Sequence, residues 1–406
     1  MNAFGWLVAT IAAAGALALP FSRGAPFLLA LMPFANAYGA AAATGLLLLR
    51  WAVFEMPAMS ISRASLHKVG AALVFLVGAL IISFLVADDL LRLMSESVQW
   101  IVGVGLFCAL IIGGREPHER NCVIGLMAGG AALAVAHVLM RAFDATVDDT
   151  AVLPFMITEG NNYAALYALI ALVIIPAHPS ARVWTPAYLI LSGLGVVIIW
   201  LQDSRAQTLI AGGVIAGVVL LRHTSPRVAL ATAIGAATVL LFVLLNFMSE
   251  SLFSNSSVLS LANFQTNYSN LERLGLLLHS LDFFGAHPLG AGVGSSSDVF
   301  PNSPYTIGSY PTPHNTFALM IVELGWWGLI AYVAGLVALL RIGVRACFAG
   351  DPGGIGALTA VAVSLIDAVF FNGSVSLLFW LLLAFSVRDS APAKGARVPM
   401  IFYRTA

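Results

Sequence analysis

Apolar stretches of about 20 residues recur from one end of the chain to the other, separated by short polar connections. At ~1.5 Å per residue each is long enough to cross the ~30 Å hydrocarbon core of a bilayer. The pattern predicts twelve spans, at roughly 4–20, 25–50, 68–87, 92–113, 120–141, 161–177, 184–201, 206–222, 227–247, 315–341, 354–371 and 373–388. The second is long, with Pro33 and Gly39 marking places where it could break. Only Phe371, Asn372 and Gly373 separate the last two, which reads as a tight hairpin. One stretch departs from the pattern. Residues 248–314 are polar, too long for a turn, and of the kind that carries function. Within them Leu271, Leu274, Leu277, Leu278 and Leu281 recur at helical spacing, predicting an amphipathic helix on the membrane face.

The expected fold is therefore an all-α polytopic membrane protein of about twelve helices. Residues 1–247 supply nine of them, 248–314 a large loop outside the cytoplasm with short amphipathic helices, 315–388 the last three, and 389–406 a cytoplasmic tail. The short alternating segments of a β-barrel are absent from the sequence. Met1 to Pro20 ends in a stretch faintly like a signal-peptide cleavage site. No positive charge precedes its apolar run, so it is read as the first span.

Composition agrees. The 406 residues are 60% hydrophobic and 9% charged, with no net charge; a soluble domain carries about 25% charged residues. The neutral balance argues against a nucleic-acid partner. Cys108, Cys122 and Cys347 lie in or beside apolar runs without metal-ligand spacing and read as small core residues. Basic residues set the orientation. With both termini cytoplasmic, all 19 Lys and Arg fall inside except Arg23, Arg92, Arg141, Arg205 and Arg273, and the long loop faces outward. Every inner connection is then short, with no Walker-type loop and no room for a nucleotide-binding domain. Chemistry on the outer side must draw on an activated substrate or a gradient.

The few outer cations invite explanation. Arg205 either pairs with Asp203 and reaches the interface, or joins Ser204 and Gln207 in holding an anionic oxygen ligand. Arg273 is either a solvated charge beside Glu272 or a second fork-shaped phosphate donor. His314 follows two prolines at the start of an apolar helix, which Thr312 or Asn315 would cap. A helix N-terminus and nearby arginines both favour a neutral imidazole, the form that accepts a proton; an interfacial histidine bonding a backbone carbonyl is the alternative. The run Pro288–Gly294 reads as a tight turn packing the loop onto the helices, or as N–H groups of Gly292 and Gly294 presented to a phosphate. Asn162 and Tyr163 open the sixth span as a cap or as a polar lip on the outer cavity. The pairs Asp88–Asp89 and Asp148–Asp149 point their side chains apart, so no metal site is expected there. Glu323 and Asp367 sit inside apolar spans, where a charged residue is either hydrogen-bonded within the bundle or functional.

Four stretches together resemble the O-antigen ligase family of bacterial membrane glycosyltransferases: Asn162-Tyr163-Ala164; Asp203-Ser204-Arg205-Ala206, with Ala206 where glycine is more usual; Arg273 followed by His287–Gly294; and His314-Asn315 followed by Glu323-Leu324-Gly325 and Gly328. The resemblance implies transfer of a glycan from an undecaprenyl diphosphate donor to the lipid A–core oligosaccharide, at the periplasmic side of the inner membrane. His314, Arg205 and Arg273 would be catalytic, and Ser204, Gln207, Asn315, Asn162, Tyr163, Gly292 and Gly294 would bind substrate. The reaction would invert the anomeric centre, with no cofactor and with arginines in place of a metal. The alternatives are an O-antigen polymerase, disfavoured by the single large loop, and a transporter of a lipid-linked sugar, disfavoured by the absence of a clear repeat.

Overall fold

The computed structural model describes residues 3–56, 61–113, 116–142, 161–178, 183–201, 205–223, 268–305, 315–351, 353–366 and 373–387. Among these there are helices and no strand. In chain order the helices are α1 (Ala3–Ala18), α2 (Phe21–Leu31), α3 (Ala37–Phe54), α4 (Arg63–Val86), α5 (Leu90–Gly113), α6 (Glu116–Ala142) and α7 (Asn161–Ala168). They continue with α8 (Thr185–Leu201), α9 (Arg205–His223), α10 (Tyr268–Ala286), α11 (Ser296–Val299), α12 (Thr316–Phe348), α13 (Gly353–Ile366) and α14 (Gly373–Val387). Helix α7 runs on through a π-helical turn, Leu169–Ile174, and a 3-10 turn, Ile175–Ala177, all buried. The expected span 227–247 lies outside the described residues. Helices α4, α5 and α12 are long and apolar enough to cross a membrane, and shorter apolar helices pack around them.

The local sequence accounts for the helix starts. Asn36 Oδ1 accepts the Gly39 N–H at 2.6 Å, Ser62 Oγ the Ser65 N–H at 3.0 Å, and Asp89 Oδ1 the N–H groups of Leu91 and Arg92 at 3.0 and 3.1 Å. Each satisfies backbone donors that the first turn leaves open. Asp89 is thus a cap. Small residues let the helices approach closely. Gly78 lies against Trp327, Gly103 against Trp380 and Gly125 against the backbone of Pro26.

The second expected span is two helices, and the break falls at Pro33, one of the two places marked for it. After Pro20 the chain turns back as α2, then turns again through Pro33 to Asn36, which caps α3. Consequently α1 and α3 run in the same direction. Gly5 lies against Asn36, Gly39 against Ala9, and Arg50 Nε donates to the Leu17 carbonyl at 3.1 Å. The Phe21 N–H and the Arg50 guanidinium both reach Glu55, tying the end of α3 to the start of α2.

This extra reversal moves the start of the chain. Helix α4 returns from the Arg50 end, and its far end, at Ser83 and Ala87, meets the glycine-rich loop. The start of α1 therefore shares a face with that loop (the loop face), and the expectation that both termini lie on the other side is corrected. Arg23, at the start of α2, moves with it to the opposite face, beside Arg50 and Arg63. There Lys68 Nζ donates at 2.6 Å to the Val387 carbonyl at the end of α14, where a helix dipole favours a cation. Arg23 thus joins the basic residues of the face opposite the loop.

Candidate active site at the loop face

Helix α12 is interrupted at Gly325, which takes φ 55°, ψ −132°. In an unbroken helix the Val322 carbonyl would accept the Trp326 N–H, and the Glu323 carbonyl the Trp327 N–H. Here the glycine-rich loop takes their place. Ala291 N–H donates to Val322 O at 2.9 Å, Gly292 N–H to Glu323 O at 2.8 Å, and Trp326 N–H to Pro288 O at 2.9 Å. Gly290 and Gly292 sit at φ 79° and 93°, and a Cβ on Gly290 would lie 2.5 Å from Glu323 O. On its other side the loop is held by α4, where Val293 N–H donates to the buried Ser83 Oγ at 2.9 Å.

The Glu323 side chain continues this attachment. It is 3% exposed, and its Oε1 accepts the Ser296 hydroxyl at 2.7 Å. The backbone N–H groups of Gly294 and Ser296 face the same carboxyl. The loop does turn N–H groups toward an acidic group, and that group is this chain's own Glu323 side chain. Gly292 and Gly294, expected as substrate binders, direct these donors inward to α12.

Arg92 forms an ion pair with Asp298 at the start of α11. That explains a second of the outer cations and ties α5 to the loop. Between the α4–α5 turn and residues 283–299 lies a cavity of about 560 Å³, whose lining includes Asp88, Asp89, Arg92, His287, Ser295 and Asp298. The His287 ring stacks on Phe283 at 4.3 Å between centroids.

The expected amphipathic helix is α10. It packs on α12 through Leu276, Phe300 and Val322, with Gly275 against Tyr305. Arg273, one turn before Leu276, is half-buried. Asn315 caps α12: its Oδ1 accepts the N–H groups of Phe317 and Ala318 at 2.8 and 3.2 Å, and its Nδ2 donates to the Leu365 carbonyl at 3.0 Å. Asn315 therefore fastens the start of α12 to the end of α13. His314, its neighbour in sequence, lies outside the described residues, as do Ser204 and Asp367.

Arg205 is the first residue of α9. At the other end of α9, Arg222 lies 5.0 Å above the Tyr188 ring and Gly217 packs on Ile355. Since Ile355 is near the start of α13 and Leu365 near its end, the start of α9 points to the loop face. Gln207 is buried one turn into α9. Asn162 and Tyr163 occupy the first turn of α7. The structure thus brings the starts of α9 and α12, and helix α10, to one face of the bundle. The roles of Glu323, Ser296 and Gly325 in holding the loop were missed from sequence. The signal was present, as an acidic residue two positions before a glycine inside an apolar span.

Fold and site together point to a multi-pass helical membrane protein with a glycine-rich loop clamped to one face. Residues 187–333 match the family model described as O-Antigen ligase, which bears out the resemblance on the stretch that holds Arg205, Arg273, His314, Asn315 and Gly325. No curated protein matches the chain.

Proposed function

We propose that this protein is a glycosyltransferase of the O-antigen ligase type. It takes a glycan from undecaprenyl diphosphate and transfers it to the lipid A–core oligosaccharide. The observation that carries the reading is the gathering of the starts of α9 and α12, and of α10, on one face, within the stretch that matches the family. The excess of Lys and Arg at the opposite face, increased by Arg23, supports reading that face as cytoplasmic and the loop face as periplasmic in the inner membrane.

In the proposed reaction an acceptor hydroxyl oxygen bonds to the anomeric carbon as that carbon's bond to the diphosphate oxygen breaks. His314, as a neutral imidazole, takes the hydroxyl proton, and undecaprenyl diphosphate departs with the electron pair. Arg205 and Arg273 meet the charge that grows on the leaving group, the term that contributes most in such sites. Direct displacement inverts the anomeric centre. Ser204, Gln207, Asn162 and Tyr163 are assigned to binding the substrates, and Asn315, next to His314 in sequence, caps α12. The cavity near His287 carries Asp88, Asp89 and Asp298 against Arg92, an excess of negative charge that disfavours the diphosphate and leaves it to the two arginines.

The nearest alternative is an O-antigen polymerase, for which the acceptor is a second lipid-linked repeat. Incubation of purified protein with lipid-linked glycan and lipid A–core separates them. Glycan attached to the core supports ligation; longer chains on undecaprenyl diphosphate would replace that reading with polymerisation, and no transfer in either form would remove both.

A further inference from the structure

We propose that Glu323 is a positioning residue for the transfer reaction: its buried carboxylate holds the glycine-rich loop against α12 and so fixes the relation between α10 and the start of α12. The inference rests on the functional reading above.

Glu323 grips the loop twice. Its carbonyl accepts from Gly292, and its side chain accepts from the Ser296 hydroxyl and faces the N–H groups of Gly294 and Ser296. A carboxyl buried to this degree is costly unless donors satisfy it; here the Ser296 hydroxyl donates to it and the Gly294 and Ser296 N–H groups face it. The loop leads directly from α10, which carries Arg273, while Glu323 lies about two turns beyond Asn315, the cap of α12 and the neighbour of His314 in sequence. The clamp thus joins two elements assigned to the same reaction. It also fixes one wall of the loop-face cavity, since Gly290, Ala291, Val293 and Ser295 line it from the other side. A shift of ~1 Å between groups that must act together costs on the order of 100-fold in rate.

The test uses the full chain reconstituted in lipid nanodiscs. Glu323→Ala is expected to lower kcat by about tenfold or more while KM for the lipid-linked donor stays within about threefold. Glu323→Gln keeps an oxygen for the Ser296 hydroxyl and should recover much of the loss. Added formate, a carboxylate small enough for the vacated cradle, should partly restore Glu323→Ala and leave the wild type unchanged. Ser296→Ala should lower kcat alone and add nothing in the Glu323→Ala background, because both act through one contact. A Glu323→Ala enzyme with wild-type kcat, a Gln variant as impaired as Ala, or additive losses with Ser296→Ala would each overturn the proposal.

A second readout needs no turnover. A cysteine at the buried Val293 should react with maleimide faster when Glu323 is alanine. Unchanged labelling would overturn the clamp itself. Absence of transfer by the wild type would instead fault the functional reading.

Discussion

Gly325 and Pro288 meet where no side chain fits. A Cβ on Gly325 would collide with the Pro288 carbonyl, and the backbone there has positive φ. The helix opens at this point so that the loop can occupy the gap, and the loop carbonyl takes the N–H of Trp326. Gly325→Ala should therefore destabilise the purified protein by about 2 kcal/mol or more, from backbone strain together with the collision. Gly335→Ala on the same helix, where a Cβ meets nothing within 4 Å, should fall within about 0.5 kcal/mol of wild type. Thermal unfolding in detergent checks the pair, and equal melting temperatures would contradict the clash.

Asn315 caps α12 and also binds α13. Asn315→Ala should cost about 1 kcal/mol for the cap and a similar amount for the lost bond to Leu365. Asn315→Asp keeps the capping oxygen and loses only the second bond, so it should be the milder variant. Denaturant unfolding and the rate of transfer should rank the three proteins in the same order.

The outer arginines divide by role. Arg92 is paired with Asp298 at a partly exposed site, so Arg92→Ala should cost no more than about 1 kcal/mol and leave transfer nearly intact. Arg205→Ala and Arg273→Ala remove donors assigned to the diphosphate and should each lower kcat by about 100-fold or more. Lysine should restore little at either position, since it lacks the planar fork. Comparable losses at all three positions would erase this distinction.

The extra reversal at α2 places Tyr38, at the start of α3, on the loop face, and Arg63 on the opposite one. With the native cysteines replaced, Tyr38→Cys and Ser297→Cys should react with an impermeant maleimide from the same side of the membrane, and Arg63→Cys from the other. Labelling of Tyr38→Cys and Arg63→Cys from one side would contradict the arrangement of α1 to α3.

Much of this bundle was legible because lipid imposes one requirement, a run of apolar residues long enough to cross it. That signal located most helix cores to within a few residues. It failed at α2, where Phe21–Leu31 alone is short for a span and the apolar run continues through Pro33 into α3. Hydropathy records length and composition and does not register a reversal inside a continuous apolar run. Asn36 held the missing information as the cap of α3.

At the site, the polar residues stood out against an apolar chain, so Arg205, Arg273 and the region of His314 could be singled out. The distribution of basic residues already set Arg205, Arg273 and the long loop on one side, but how the start of α12 is held there could not be read from sequence. It depends on Asn315 reaching Leu365, a residue 50 positions away. The glycine run was legible as a close-packed turn. Its partner was not, because Glu323 alone in an apolar span has the same appearance whether it serves substrate or loop.

The most direct test of the assigned chemistry is the single-turnover rate of glycan transfer by purified His314→Ala, with undecaprenyl diphosphate-linked glycan and lipid A–core supplied at saturation. With His314 as the base, the rate should fall by about 100-fold or more while the protein still binds donor and melts as the wild type does. Transfer at the wild-type rate would show that His314 is not the proton acceptor and would contradict the central claim.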